Sequence, residues 1–298
     1  MAGSNAVPTG FGDAFLNTTF VGEFLLFVLY GCTLGQTVHY YSQYKDDRLQ
    51  WKGLVAVLLL LDTAKVAAGA EILYYYTVTN HQAPYNIAAL PPAYTILAVI
   101  GIVTVLLSQC FYLRTIYSVC TRRRNQRRAV IAVIGVFLAL LGFAMGIVWI
   151  TELNIHDAAT EALKGISARS GVIQLTANIA TDLYITIALT WILRNFQSEV
   201  ETRGLLRDYD SNLGSIVSRL FAYSASRGAL LLVLQIVEIT IVSGIQWIGV
   251  VDDVLQNLLD DKHKTYLTNI VWLPQSTVYC NSVLAACVVP YAPFRVQC

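Results

Sequence analysis

The sequence predicts an all-α polytopic membrane protein of seven transmembrane helices, with its N-terminus outside and its C-terminus inside. Three observations predict it. Of the 298 residues, 56% are hydrophobic and only 13% charged, whereas soluble domains carry about 25% charged residues. The apolar residues gather into seven segments of bilayer length. Lysine and arginine are dense in alternate connecting loops. The net charge of +1 gives no sign of a nucleic-acid partner, and none is expected.

The segments fall at about 18–41, 54–79, 94–118, 129–152, 171–194, 215–247 and 266–290. The longest interruption, roughly twenty residues between the fifth and sixth, is too short for an independent core. Residues 1–298 therefore read as a single membrane domain.

Orientation follows from the loops. The first has Lys45, Arg48 and Lys52, and the third has Arg122, Arg123, Arg124, Arg127 and Arg128. The fifth has Arg203 and Arg207, with Arg194 at its entrance. The N-terminal tail and second loop have none, and the fourth and sixth have two each, Lys164 and Arg169, then Lys262 and Lys264. Basic residues mark the cytoplasmic side, so the odd loops face the cytosol. The arginine-rich third loop is expected to touch anionic lipid. The N-terminal stretch lacks the basic region of a cleavable signal peptide, so the first segment is expected to act as an uncleaved anchor. The expected location is the plasma membrane or another secretory-pathway membrane. Asn17-Thr18-Thr19 is a glycosylation sequon on the outer side. None of the six cysteines falls in an outer loop, so no extracellular disulfide is expected.

Taken in order, the segments carry more ionisable groups than anchoring requires. A charge at mid-membrane costs about 2.5–3.5 kcal/mol and normally turns inward to a partner. The first segment holds Glu23. The second, "LLLLDTAKVAAGAEILYYY", holds Asp62, Lys65 and Glu71, with the first two at i,i+3 and so placed to pair within one helix. The third ends near Arg114 and the fourth near Glu152. The fifth has a polar stripe of Gln174, Asn178, Thr181 and Asp182. The sixth carries Arg219, Tyr223, Arg227, Gln235 and Glu238, and the seventh Trp272, Ser276, Tyr279 and Ser282. Such stripes act as interhelical glue or line a hydrated cavity. Pro274 and Pro290 make the seventh segment the expected place for a kink. Tyr40-Tyr41, Tyr74-Tyr75-Tyr76, Trp51 and Trp247 read as interfacial belts.

No catalytic signature accompanies these groups. His39, His81, His156 and His263 lie in loops or near segment ends, which does not suit a zinc site inside the bundle. No phosphate loop or nucleophile elbow occurs, and the seventh segment has no lysine for a retinal Schiff base. No catalytic residue, metal ligand or cofactor is assigned, and the chain reads more as a non-enzyme than an enzyme.

Near the C-terminus, "SIVSRLFAYSASRGALLLVLQ" (215–235) and "STVYCNSVLAACV" (276–288) are similar to motifs of a fungal, basidiomycete-type family of seven-helix membrane proteins with a C-terminal domain of unknown function. "LLLLDTAK" and the "GQTVHYYSQYKDD" run resemble the family's helix-two and first-loop patterns. Tyr279, Asn281 and Ser282 stand at the helix-seven motif, and Asp62 at the helix-two position. The run ends in "VVPYAPFR" where the family pattern continues Leu-Asn-x-Arg. The resemblance implies fold, topology and fungal origin, and no activity.

The candidate polar-core or ligand-binding residues are Asp62, Lys65, Glu71, Asp182, Tyr223, Arg227, Gln235, Glu238 and Tyr279. At about 1.5 Å of rise per residue, Asp62, Lys65, Asp182 and Arg227 reach comparable depth, which predicts one shared polar layer. The expected function is a receptor- or sensor-like membrane protein with a polar intramembrane cavity. Its expected partners are a small-molecule ligand and a cytoplasmic signalling protein. The alternatives are a transporter or proton-coupled carrier, and a membrane-embedded enzyme of lipid or terpenoid metabolism.

Overall fold

A computed structural model of the chain describes residues 11–79, 91–121, 126–155, 166–202, 228, 230–238 and 267–288. Among them every regular element is helical. In a bilayer the backbone has no water to bond, so a spanning segment satisfies its N–H and C=O groups within itself. Helix α1 is Phe11–Gln43, α2 Leu49–Tyr74, α3 Pro92–Thr121, α4 Gln126–Ile155, and α5 Ile166–Thr202. A helical stretch at 230–238, here α6, lies inside the predicted sixth segment, and α7 is Leu267–Val288. Among the described residues, five helices are long and apolar enough to cross a membrane: Leu16–Gln43, Leu49–Thr79, Pro92–Tyr117, Val133–Ile155 and Arg169–Trp191.

Helix boundaries have local causes. Arg48 adopts an extended backbone (φ −61, ψ 142) and starts α2 afresh after the turn that ends α1. Within that turn the Tyr40 hydroxyl donates to Asp47 at 2.5 Å, and the Tyr41 hydroxyl to the Lys52 carbonyl at 2.8 Å. Pro92 opens α3 at the position where its missing N–H costs nothing. Helix α2 leaves α-geometry at its end and runs into a π-helical turn, Tyr75–Thr79, which the sequence did not foretell. Helix α7 continues through Pro274 without a break in the helix.

Consecutive helices pack as neighbours from α1 to α5, and α7 returns against α1, the most extensive helix pairing. Helix α3 also meets α5 and α7. The polarity of the bundle is inverted relative to a soluble fold. Phe20, Phe24, Leu60, Val38, Phe137 and Ile187 are exposed, while Glu23, Asp62, Lys65, Gln109, Asp182 and Gln235 are buried. Apolar side chains outside and ionisable ones inside suit hydrocarbon as the surrounding solvent. The chain is an integral membrane protein.

Two predicted belt residues belong elsewhere. Tyr40 and Tyr76 are fully buried, because each packs inward in an aromatic cluster: Tyr40 beside Tyr41 and Tyr44, Tyr76 against Tyr75. Trp51 stays near a helix end, with Phe111 edge-on at 5.7 Å and the Arg114 guanidinium 5.4 Å from its ring. Trp247 and Arg122, Arg123 and Arg124 lie outside the described residues. Among the described residues, Cys32, Cys110, Cys280 and Cys287 form no disulfide.

Candidate functional site

Helix α7 organises the interior. At 3.6 residues per turn, Leu273, Ser276, Thr277 and Cys280 share one face, and Gln275, Tyr279 and Ser282 lie on the other side. Each side collects a different set of partners.

The first side meets α1 and α2. Asp62 accepts from Thr33 of α1 and from Thr277 of α7, both at 2.7 Å. Lys65 donates to the Leu273 carbonyl and to the Ser276 hydroxyl. The i,i+3 spacing predicted a direct pair, but neither ion takes the other as its hydrogen-bond partner. Each reaches a different group on α7, so two hydroxyl side chains and a carbonyl do the work expected of a salt bridge. Nearby, Cys280 contacts the Leu58 carbonyl at 3.7 Å, and Asn281 donates to the Leu29 carbonyl at 3.0 Å.

One turn along α2 from Lys65 sits Gly69, and there the Glu23 carboxyl of α1 enters the bundle. A Cβ at Gly69 would lie 2.1 Å from Glu23 Oε2, so the glycine leaves the room this carboxyl occupies, and a side chain there would push it aside. Glu23 is fully buried, and both its oxygens lack a hydrogen-bond partner among the described residues. Its electrostatic neighbour is Lys65.

The second side of α7 meets α5 and α6. The Tyr279 hydroxyl donates to Asp182 Oδ2, and Gln235 Nε2 donates to the same oxygen and to the Tyr279 hydroxyl, each at 2.7 Å. Further along, Gln275 of α7 donates to Glu238 at 2.8 Å. Asp182, Gln235 and Glu238 are all buried. On the α3 flank, Tyr112 donates to the Ser282 carbonyl at 2.8 Å.

The expected single layer is thus divided: Asp62 with Lys65 on one side of α7, and Asp182 with Gln235 and Tyr279 on the other. Depth along the helices was the right clue to burial and the wrong one to partnership, because α7 stands between the two sets. Glu71 is exposed on α2, away from both networks. Tyr223 and Arg227 lie outside the described residues. Sequence reasoning passed over Thr33, Thr277 and Gln275, which looked like background polarity in apolar runs. It also passed over Gly69, although the small-residue run "AAGA" that begins two positions beyond the buried Lys65 marks where a neighbour's side chain inserts.

A third polar group lies apart from α7. Gln109 of α3 and Gln174 and Asn178 of α5 line a cleft with Ile102, Val105 and Phe143, and α4 supplies Gly142. The cleft is partly open, and the room inside it is about that of one water molecule. Gly142 and Gly146, one turn apart on α4, make room for the amides. A Cβ at Gly142 would meet Asn178 Oδ1 at 2.6 Å, and one at Gly146 would meet Gln174 Nε2 at 2.9 Å. No metal-sized cluster of His, Cys, Asp or Glu occurs among the described residues.

Fold and interior together define an all-α integral membrane protein with ionisable groups gathered inside its bundle. The family of unknown function DUF6534 is matched over residues 178–287, the stretch that contains Asp182, Gln235, Glu238 and Tyr279. Glu23, Asp62 and Lys65 lie outside that match. No curated protein matches the chain, and no solved structure does.

Proposed function

We propose that this protein is a seven-helix membrane receptor or sensor, N-terminus outside and C-terminus inside, whose polar interior responds to a small ligand. The observation that carries the reading is α7 itself, bonded on opposite sides to two separate buried polar networks. A helix held in this way has discrete, hydrogen-bonded positions rather than a continuum of them, and a ligand that favours one position shifts the population toward it. The basic odd loops support the orientation and supply a charged cytoplasmic surface for a signalling partner and for anionic lipid. The test places spin labels at Val288→Cys on α7 and Val133→Cys on α4, in protein whose six native cysteines are replaced. Two distance populations are expected, their ratio altered by Tyr279→Phe. A single distance that ignores the substitution would remove α7 as the moving part.

The second reading is a proton-coupled carrier, favoured by Glu23. Its carboxyl is buried beside Lys65 without a hydrogen-bond partner among the described residues, the kind of intramembrane acid that proton relays use. Protein reconstituted into liposomes under an imposed pH gradient separates the two. The receptor reading expects no protein-dependent proton flux, whereas flux abolished by Glu23→Gln establishes the carrier.

A further inference from the structure

Three carboxamides converge on the cleft among α3, α4 and α5, and none of them makes a side-chain hydrogen bond among the described residues. Gln109 is about 1% exposed, yet its Nε2 is buried without a partner. Gln174 and Asn178 point toward α4 at Gly146 and Gly142, but bond to no carbonyl there. Interhelical glue would require such bonds, since a membrane helix holds its neighbour by satisfying polar groups across the contact. A buried amide with no partner is a cost to the fold unless something fills the site.

We propose that this cleft binds a small uncharged amphiphile with a hydroxyl head group and a hydrocarbon body. The inference rests on the receptor reading and names the class of its ligand. The lining residues dictate the chemistry. None of them is ionisable, so a charged head would be desolvated without a counter-ion. A carboxamide both donates and accepts, and so does a hydroxyl, which can take a hydrogen bond from Gln109 Nε2 and return one to an amide oxygen. Ile102, Val105 and Phe143 face the same space and suit an alkyl or isoprenoid body. The room inside is about that of one water molecule, far below a drug-sized pocket. It therefore takes a hydroxyl and no more, and the open side lets the hydrocarbon body extend away from it. Glycine at 142 and 146 is what keeps the amides and this space together: a side chain at either position would occupy the room they use.

Photolabelling tests the proposal without knowledge of the natural ligand. The full chain in lipid nanodiscs is irradiated with a diazirine-bearing octanol and, separately, with the matching diazirine-bearing octane, and adducts are mapped by mass spectrometry. The expected result is labelling on α3, α4 and α5 around Gln109 at least about tenfold stronger for the octanol, because a site built to bond a hydroxyl discriminates against its absence. Excess unlabelled octanol should suppress it. Gln109→Leu should reduce the octanol signal to the octane level, with Asn178→Ala as a second variant should the first fold poorly. Equal labelling by both probes would reduce the cleft to a place where lipid partitions, and no adducts there would leave it to water. Either result overturns the proposal. The receptor reading fails separately: octanol bound in the cleft with no change in the α7 spin-label distances refutes the receptor and leaves the site standing.

Discussion

On the α1–α2 side of α7, Asp62 and Lys65 are met by Thr33, Thr277, Ser276 and the Leu273 carbonyl. In the cleft among α3, α4 and α5, the three amide side chains bond to none of the described residues. Both regions are polar and lie within the bundle, though Gln174 and Asn178 are only half-buried, and one has used its hydrogen-bonding capacity on the protein while the other has kept it. Saturation of this kind locks helices together, and spare capacity in an otherwise packed interior is a place for something else to bind. Polarity inside a membrane bundle is therefore a poor guide to function until the partners have been traced. That saturation is not complete: Glu23 keeps a buried carboxyl with no hydrogen-bond partner among the described residues, with Gly69 beside it, and Asn281 Oδ1 is likewise unpartnered there.

The comparison can be broken by removing Lys65. Lys65→Met leaves two carboxyls, Asp62 and Glu23, without their cation and is expected to cost about 3–5 kcal/mol, read from unfolding in a denaturing-detergent titration. Adding Asp62→Leu should recover more than half, and strictly additive costs would show that the two residues do not form one network. On the other side of α7, Tyr279→Phe removes the hydroxyl shared by Asp182 and Gln235 and should cost about 1.5–3 kcal/mol in the same titration. A cost near zero would mean that this network is not saturated.

Gly69→Ala is expected to lose about 1 kcal/mol or somewhat more, since the new methyl meets a flexible carboxyl rather than backbone. Glu23→Ala in the same chain should restore it, and failure to do so would place the clash elsewhere. The smallest effect is expected in the cleft. Gln109→Leu should leave stability unchanged or raise it by up to about 1 kcal/mol, because it replaces a buried amide lacking a partner with an apolar group. A clear loss would show that Gln109 already holds the helices together, and the contrast between the two regions would collapse.

Much of the fold was legible because lipid imposes a simple rule on composition. The helices extend past the predicted segments, α1 from Phe11 to Gln43 where about 18–41 was expected, because hydropathy marks the hydrocarbon core while helical hydrogen bonding continues beyond it. Burial of Asp62, Lys65 and Asp182 was legible for the same reason. Their partners were not. A spacing of three on one helix says that Asp62 and Lys65 are near each other, but whether they pair depends on what α1 and α7 offer at that level, and Thr33, Ser276 and Thr277 outbid the direct contact. The cleft was half visible: the Gln174–Asn178 stripe was plain, but Gln109 stood alone in an apolar helix and the glycines of α4 looked like ordinary membrane-helix composition.

One bond at the end of α7 has a mechanical consequence. The carbonyl of Val288 accepts a hydrogen bond from the hydroxyl of Tyr44 at 2.5 Å. Tyr44 belongs to the turn between α1 and α2, in which its neighbour Tyr40 is tied to Asp47. Helix α7 is thus moored to that turn as a rod is pinned to a crank, so sliding or rotating it either drags the turn along or breaks the pin.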